Sequence, residues 1–527
     1  MIVRSADDVC VPTATVCRID RADVMPVADG TVLDFGGRLL DLVRGTLDAG
    51  SGSMTIRAGA VIIRPRGRIY ARSASGNGGS LRLFSNTSVI VESGGGDDGA
   101  IDVSGATAGT ISISAATNLS LQGRLLASGL ATDGDGGTVD VAAASVGMGP
   151  RAVIDATSGR LGAGGQITVS AAGLLTTDGR LATTGGSGAG LPGVTLTAGG
   201  VVRGLGVIDA RGTLDPAEGD GGSVSIHSTG GDVILAGSID TAASQGGAGG
   251  SIEVDATGSI LLQGPLAAQG GAPDGSGGLL WLRADGAVQQ EVLAARLDAG
   301  APGAESAGGT VVIRARGGAM VRAIDVSAGA YAGDITVLAD GPLQVAGPLS
   351  ADSASLGAVA GTIDVWGSED TIIGGAVHAN GPPNELGGDV RAAGCQVVVA
   401  VAGTLSALGL SGTARIVADQ ELRVEGSLVA GAEAGLITSG RGPAPVMSGR
   451  ITPLPTVGVD PTIHLCGATV ATTTTTTTTT RTTTTRTTTS TTTTSTTTSR
   501  TTTSSTTSTP TTVTTSTEGT TTSTLLT

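Results

Sequence analysis

The apolar positions of this chain recur as one phrase, a glycine followed by polar and aliphatic residues in strict alternation. It reads Gly-Thr-Val-Asp-Val-Ala-Ala from Gly137, Gly-Gln-Ile-Thr-Val-Ser-Ala from Gly165 and Gly-Ser-Ile-Glu-Val-Asp-Ala from Gly250. Written as G-x-[IVLM]-x-[IVL]-x-[A/S/G], the phrase begins at 52, 79, 109, 137, 165, 192, 222, 250, 278, 309, 333, 361, 388 and 412. These fourteen starts span 360 residues, a mean step of about 27.7, which is the range of solenoid repeats. Every start is Gly except Pro192, and the last two copies are weaker because Ala392 and Ala414 stand where a larger aliphatic is expected. The seventh position is always small: Ala in ten copies, otherwise Ser85, Ser228, Gly367 or Gly394.

Alternation of period two puts Ile111 and Ile113, or Ile252 and Val254, on one face, while Ser112 or Glu253 points the other way. Each phrase therefore reads as a half-buried strand. A second apolar piece follows, as in Leu119-Ser-Leu121, Val233-Ile-Leu235 or Ile260-Leu-Leu262, and then a third of the form Ile154-Asp155 or Ile239-Asp240. A Gly-rich turn such as Asp133 to Gly137 leads to the next start. Three short strands and three corners make one triangular rung that cannot bury its own apolar face. Parallel stacking buries it, which predicts an all-β, right-handed parallel β-helix of about fourteen rungs. At a strand spacing of about 4.8 Å the stack would be roughly 65 Å long. The glycines are expected at corners, supplying positive φ.

This organisation divides the chain into an N-terminal cap over 1–51, repeats over 52–439, a C-terminal cap or linker over 440–470, and a Thr/Ser-rich tail over 471–527. Within the cap, Val32 to Phe35 and Leu47 to Ala49 echo the repeat. The tail has almost no apolar residues, so it is expected to be disordered, an O-glycosylated spacer or stalk. The most hydrophobic patch, Ala393 to Leu410, keeps the alternation and reads as two buried strands and a turn, so no membrane span is expected. The first residues, MIVRSADDVC, have no apolar core before charge appears. They do not read as a secretory leader, and the natural start is expected upstream.

Composition sharpens the picture. The only aromatics are Phe35, Tyr70, Phe84, Trp281, Tyr331 and Trp366, so the core must be built of small and branched aliphatics. The net charge is −15, and the tail from Ala471 carries three arginines against one glutamate, which leaves −17 on the rest. A chain of this sign is a poor partner for nucleic acid or anionic membranes. Four cysteines lie in two terminal groups, Cys10 and Cys17 before the first phrase and Cys395 and Cys466 at the far end. They are candidate disulfide staples, which points to an oxidising, extracellular or cell-surface location.

The residues needed for chemistry do not converge. Asp97 and Asp98 are adjacent carboxylates, but there is no Gly-His-Gly and no lysine to handle an acidic sugar. His227, His378 and His464 are far apart in the repeat, and the turn aspartates Asp133, Asp135, Asp220 and Asp274 are scattered. The latter are expected to be solvated corner residues accepting backbone hydrogen bonds. Asp102, Asp155, Asp209, Asp240, Asp298 and Asp325 hold equivalent third-strand positions and predict an interrupted acidic stripe. Such a stripe keeps edges apart and soluble, with at most weak Ca²⁺ binding. Nothing matches a nonapeptide calcium repeat or a phosphate-binding Gly-Lys-Ser/Thr loop. The outward first-strand residues, Arg82, Ser112, Asp140, Thr168, Thr195, Ser225, Glu253 and Trp281, form no regular ladder. No catalytic, cofactor-binding or metal-ligating residue is assigned.

The run Gly237-Ser-Ile-Asp-Thr followed by Gly249-Gly-Ser-Ile-Glu-Val-Asp-Ala256 resembles Gly-rich bacterial surface β-helices. These are the filamentous-haemagglutinin-like adhesins and pectin-lyase-fold surface proteins. The resemblance covers about 52–439 and implies a role in adhesion or in building a surface layer or matrix, with glycans or surface and matrix proteins as partners. The expectation is a non-enzymatic surface β-helix on a Thr-rich stalk. The alternative is a carbohydrate-active β-helix, a polysaccharide lyase or hydrolase, which needs carboxylates from three adjacent rungs in one groove.

Overall fold

The computed structural model describes residues 2–11, 13–94, 98–186, 193–212 and 219–466. Asp97, Pro192 and the Thr/Ser-rich tail lie outside the described residues. What is described is an all-β parallel β-solenoid of about 16 turns. Its one helical element among the described residues is the 3-10 turn Ala6–Asp8, and no helix there is long and apolar enough to cross a membrane.

Each of the fourteen phrase starts leads directly into a strand, from Ser53–Ala58 and Ser80–Ser85 to Asp389–Val399 and Thr413–Val424. These first strands pair in parallel, residue for equivalent residue, as Val224 with Ile252 and Ile226 with Val254. The second pieces form another column, Val233 on Ile260 on Val288. The third pieces form a separate sheet in which Ile208, Ile239, Leu266, Leu297 and Ile324 follow one another. First and second pieces are not always separated by a corner. They run on as single strands at Thr110–Leu121, Thr138–Met148, Thr362–Ile373, Asp389–Val399 and Thr413–Val424. In three pairings along these strands the register slips, between Ala115 and Asn118, Gly367 and Asp370, and Gly394 and Gln396, which bends the chain without ending it.

The inward positions are the aliphatics of the phrase, with Ile252, Val254, Leu280 and Leu282 wholly buried. Burial of each such side chain contributes roughly 1.5–3 kcal/mol relative to exposure. The small seventh position is buried too, and its hydroxyls are satisfied by the chain. Ser228 Oγ donates to the carbonyls of Gly200 at 2.6 Å and Gly231 at 2.9 Å. The ladder also runs beyond the fourteen phrases. Thr31–Asp34 pairs with the strand that begins at Ser53, and Glu433–Thr438 and Thr456–Val459 continue the first-strand column at the other end. The phrase misses the first of these because Thr31 and Phe35 occupy places where the interior rungs have an aliphatic and a small residue.

The expected role of the phrase glycines needs correction. Among the described residues, positive φ occurs at Gly30, Gly36, Gly50, Gly246, Gly357, Gly409 and Gly440 and at Asn384, none of which starts a phrase. The phrase glycines are instead stacked backbone on backbone. A Cβ on Gly250 would lie 1.8 Å from the carbonyl oxygen of Gly222, and one on Gly278 would lie 1.9 Å from that of Gly250. The same carbonyl of Gly222 accepts the N–H of Ser251 at 3.0 Å, while the N–H of Gly250 donates to Thr241 at 2.8 Å, closing the corner between third and first strands. Glycine is required here because nothing else allows that approach.

Gly250→Ala is therefore expected to destabilise the solenoid by about 2–4 kcal/mol, because the obstructing atoms are backbone and cannot swing aside. Gly36 has φ of +61° but open space around it. Gly36→Ala should cost only about 1–2 kcal/mol of left-handed strain. Urea unfolding midpoints of the two variants check the ranking, and equal losses would count against the stacking explanation.

Candidate binding face

In-register stacking turns the outward residues of successive first strands into columns with neighbours about 4.8 Å apart. One column runs Ser225, Glu253, Trp281 and Val312, and the next runs His227, Asp255, Arg283 and Arg314. His227 Nδ1 lies 4.0 Å from Asp255 Oδ2, and Arg283 Nε lies 3.8 Å from Asp255 Oδ1. The Arg314 guanidinium sits 5.3 Å from the centre of the Trp281 ring, a cation–π contact that orients the indole. Glu253 and Arg283 are exposed and Trp281 is half-buried. This strip joins an aromatic face to charged donors and acceptors on a flat sheet. Across the three rungs of His227, Asp255 and Arg283 the outward first-strand positions carry two carboxylates, Glu253 and Asp255.

The other histidines sit elsewhere. His378 Nδ1 is 2.6 Å from Asp352 Oδ2, and Asp352 Oδ1 accepts the N–H of Asn380 at 2.6 Å. Asn380 in turn accepts from Ser406 Oγ at 2.7 Å and from the N–H of Leu408 at 2.8 Å. This is a chain of corner bonds from rung to rung. The hydrogen bond to Asp352 is the main reason the His378 imidazole is held above its ordinary value, against a smaller opposing effect of burial. His464 lies against Arg441, with Nδ1 2.7 Å from a guanidinium nitrogen. Of the Asp97–Asp98 pair only Asp98 is described, and its carboxylate accepts the N–H of Gly94 at 3.2 Å. Two turn aspartates behave as expected: Asp135 accepts the N–H of Ala163 and Asp220 that of Ala248, each 28 residues on.

The third-strand aspartates do fall in one column, with Asp209 paired to Asp240 and Asp298 to Asp325. They do not form a solvated stripe, however, for Asp102, Asp209 and Asp298 are buried. Oδ1 of Asp102, Asp155, Asp240, Asp298 and Asp325 accepts the N–H two residues on, the turn that bends the chain out of the third strand. Arginines supply the countercharge: Arg72 to Asp102 at 3.3 Å, Arg180 and Arg211 to Asp209 at 3.1 and 2.9 Å, and Arg296 to Asp298 at 3.0 Å. Burial alone would raise the Asp209 carboxyl, but its bonds to Arg211 and Arg180 bring it below the usual value. At Asp240 and Asp298 burial prevails and the carboxyl stays above it. The stripe is a row of corner fastenings. Among the described residues no group of three or more His, Cys, Asp or Glu is placed to hold a metal ion.

The cysteines meet in two pairs at bonding distance, Cys10 with Cys17 and Cys395 with Cys466, with Cα–Cα separations of 5.4 and 4.5 Å. The second pair has a setting the sequence reading missed. The segment before Cys466 crosses the outward face, where Ile463 and Leu465 pack on Trp366, Ala393 and Val417. Asp419 is buried beneath it, and its Oδ2 accepts the N–H groups of Leu465 and Cys466 at 3.2 Å each. The available signal was that the outward position of Asp255 and Arg314 becomes Leu338, Trp366, Ala393 and Val417 in the last rungs, an apolar run that has to be covered.

Because the folded imidazole of His378 is held above its unfolded value, its contribution is fully present below the unfolded pKa of about 6.5. It is lost as pH rises through the folded value. His378→Gln is thus expected to lower the melting temperature at pH 5 and to have little effect at pH 9. An equal loss at both would show that charge on this residue is irrelevant. No protein-family model, curated protein or solved structure matches the chain.

Proposed function

We propose that this chain is a non-enzymatic, structural or adhesion-type β-helix displayed outside the cell, with the Thr-rich 471–527 serving as its stalk. The observation that carries this reading is the outward strip of Glu253, Trp281, Arg283 and Arg314, laid along the axis of a flat ladder. Such a strip suits an extended glycan or matrix polymer, whose sugar rings stack on an indole while hydroxyls and acid groups meet the carboxylates and guanidinium groups. Support also comes from where the other carboxylates are used: Asp102, Asp209 and Asp298 are bound to arginines. The paired cysteines support an oxidising compartment.

A carbohydrate-active enzyme is the second reading, favoured by the short contact between His378 and Asp352. A base of this kind works when its other ring nitrogen faces the group that gives up a proton. Among the described residues His378 Nε2 has no hydrogen-bond partner.

Affinity electrophoresis in gels containing uronic-acid or neutral polysaccharides separates the two. Retardation without release of unsaturated or reducing-end products is expected, and Trp281→Ala should weaken retention about tenfold. Product release that disappears in His378→Gln would replace this reading with the second. Alkylation of the native protein should find reactive thiols only after reduction, whereas four reactive thiols beforehand would contradict an oxidising compartment.

A further inference from the structure

The two ends of the solenoid are finished differently. At the N-terminal end the inward residues Cys17, Ile19, Val27, Leu33 and Phe35 are each at most 6% exposed. The leading segment seals them: Val3 and Ala6 are buried there, Val9 and Cys10 pack on the same core, and Val3 bridges to Val27. At the C-terminal end the inward positions lie bare. Met447 is in register with Val424 and Val457 with Leu436, and both of those partners are 0% exposed. Met447 and Val457 themselves are 48% and 50% exposed, and Val459 is 66% exposed. The strands Val446–Met447, Arg450–Thr452 and Thr456–Val459 are each paired on one side only among the described residues.

The described part of the chain does not stay to cover this end. After Val459 it turns onto the outer face, where Ile463 and Leu465 pack and Cys466 reaches Cys395. The sequence from Ala471 on is almost entirely Thr and Ser, a composition with little apolar surface to offer such a face.

We propose that the C-terminal end is the docking surface for a second copy of the chain, joined tail to tail about a two-fold axis. The two-fold sets each free edge against an edge running the opposite way, so that the unpaired N–H and C=O groups of both find partners. It also sets the apolar patch of Met447, Val457 and Val459 of one copy against the same patch of the other, which is the self-complementarity a two-fold contact needs. Three free edges around one core match in position only another solenoid end. At the N-terminal end Val16–Ile19, Val24–Pro26 and Thr31–Asp34 are likewise paired on one side only among the described residues, but the leading segment covers the apolar residues there, so the contact closes at two copies and does not propagate into a filament. The face is a single rung in extent, at the small end of specific interfaces, and the dimer is therefore concentration dependent in the micromolar range.

Sedimentation velocity on the full-length protein, from low to high micromolar, tests this. The expected result is a rise from the mass of one chain to that of two and no further. V457K/V459K should remain a single chain at every concentration with an unchanged far-ultraviolet spectrum, and Val459→Lys alone serves if the double variant does not fold. Val16→Lys, at the opposite end, should leave the dimer intact. A single-chain mass throughout, whether the end is covered by later residues of the same chain or left bare, overturns the proposal. So do species larger than two chains, a dimer that survives the end-face variants, or one that Val16→Lys abolishes.

Discussion

The constraint on which the repeat depends is the close backbone approach of one glycine to another. Most phrases begin where one turn of backbone lies directly on the carbonyl of the turn before, with no room for a side-chain carbon, as Gly250 lies on Gly222. That contact does two things at once. It sets the register for the strand that follows, through the bond from Ser251 to Gly222, and it closes the rung on itself, through the bond from Gly250 to Thr241. The aliphatic columns depend on it, since a one-residue slip at the start would turn Ile252 and Val254 outward. Hydrophobic burial supplies most of the stabilisation, but the glycine column decides which faces are buried.

Parallel in-register stacking also creates an electrostatic problem, because it brings equivalent residues within one strand spacing of each other. Asp209 and Asp240 are such a pair, as are Asp298 and Asp325. Two devices relieve the repulsion. Each carboxylate except that of Asp209 turns one oxygen to the backbone two residues on, and arginines are inserted between rungs, Arg211 reaching both Asp209 and Asp240 at 2.9 and 3.5 Å. The all-Arg composition fits this task, since a guanidinium can bridge two carboxylates where an ammonium acts as a point charge.

The parts of this structure legible in the sequence are those that repeat. Alternation within the phrase located every first strand of the interior, and the Ile-Asp pieces marked the third column, because both signals recur with the period of the rung. What escaped was local or non-periodic. Positive φ and close backbone approach both select glycine, and composition cannot tell them apart. The first rung lost the phrase in part because Phe35 fills a place that interior rungs keep small. The strap formed by Ile463 and Leu465 was hidden because its contacts with Trp366 and Val417 are distant in sequence and belong to no repeat. Of the candidate binding strip, Glu253 and Trp281 were visible only as interruptions. Their meaning depends on Arg283 and Arg314, which lie in the neighbouring column.

With Cys395 and Cys466 bridged, tension applied to the chain beyond the bridge would not reach the last rung first. It would enter sideways through the strand Asp389–Val399, which is paired on both flanks, with Thr362–Ile373 before it and Thr413–Val424 after it. Load would then be shared by several backbone bonds in shear, where a terminal strand would peel one bond at a time. A molecule tethered by its threonine-rich end would thus resist pulling through a covalent strap that spares its weakest turn.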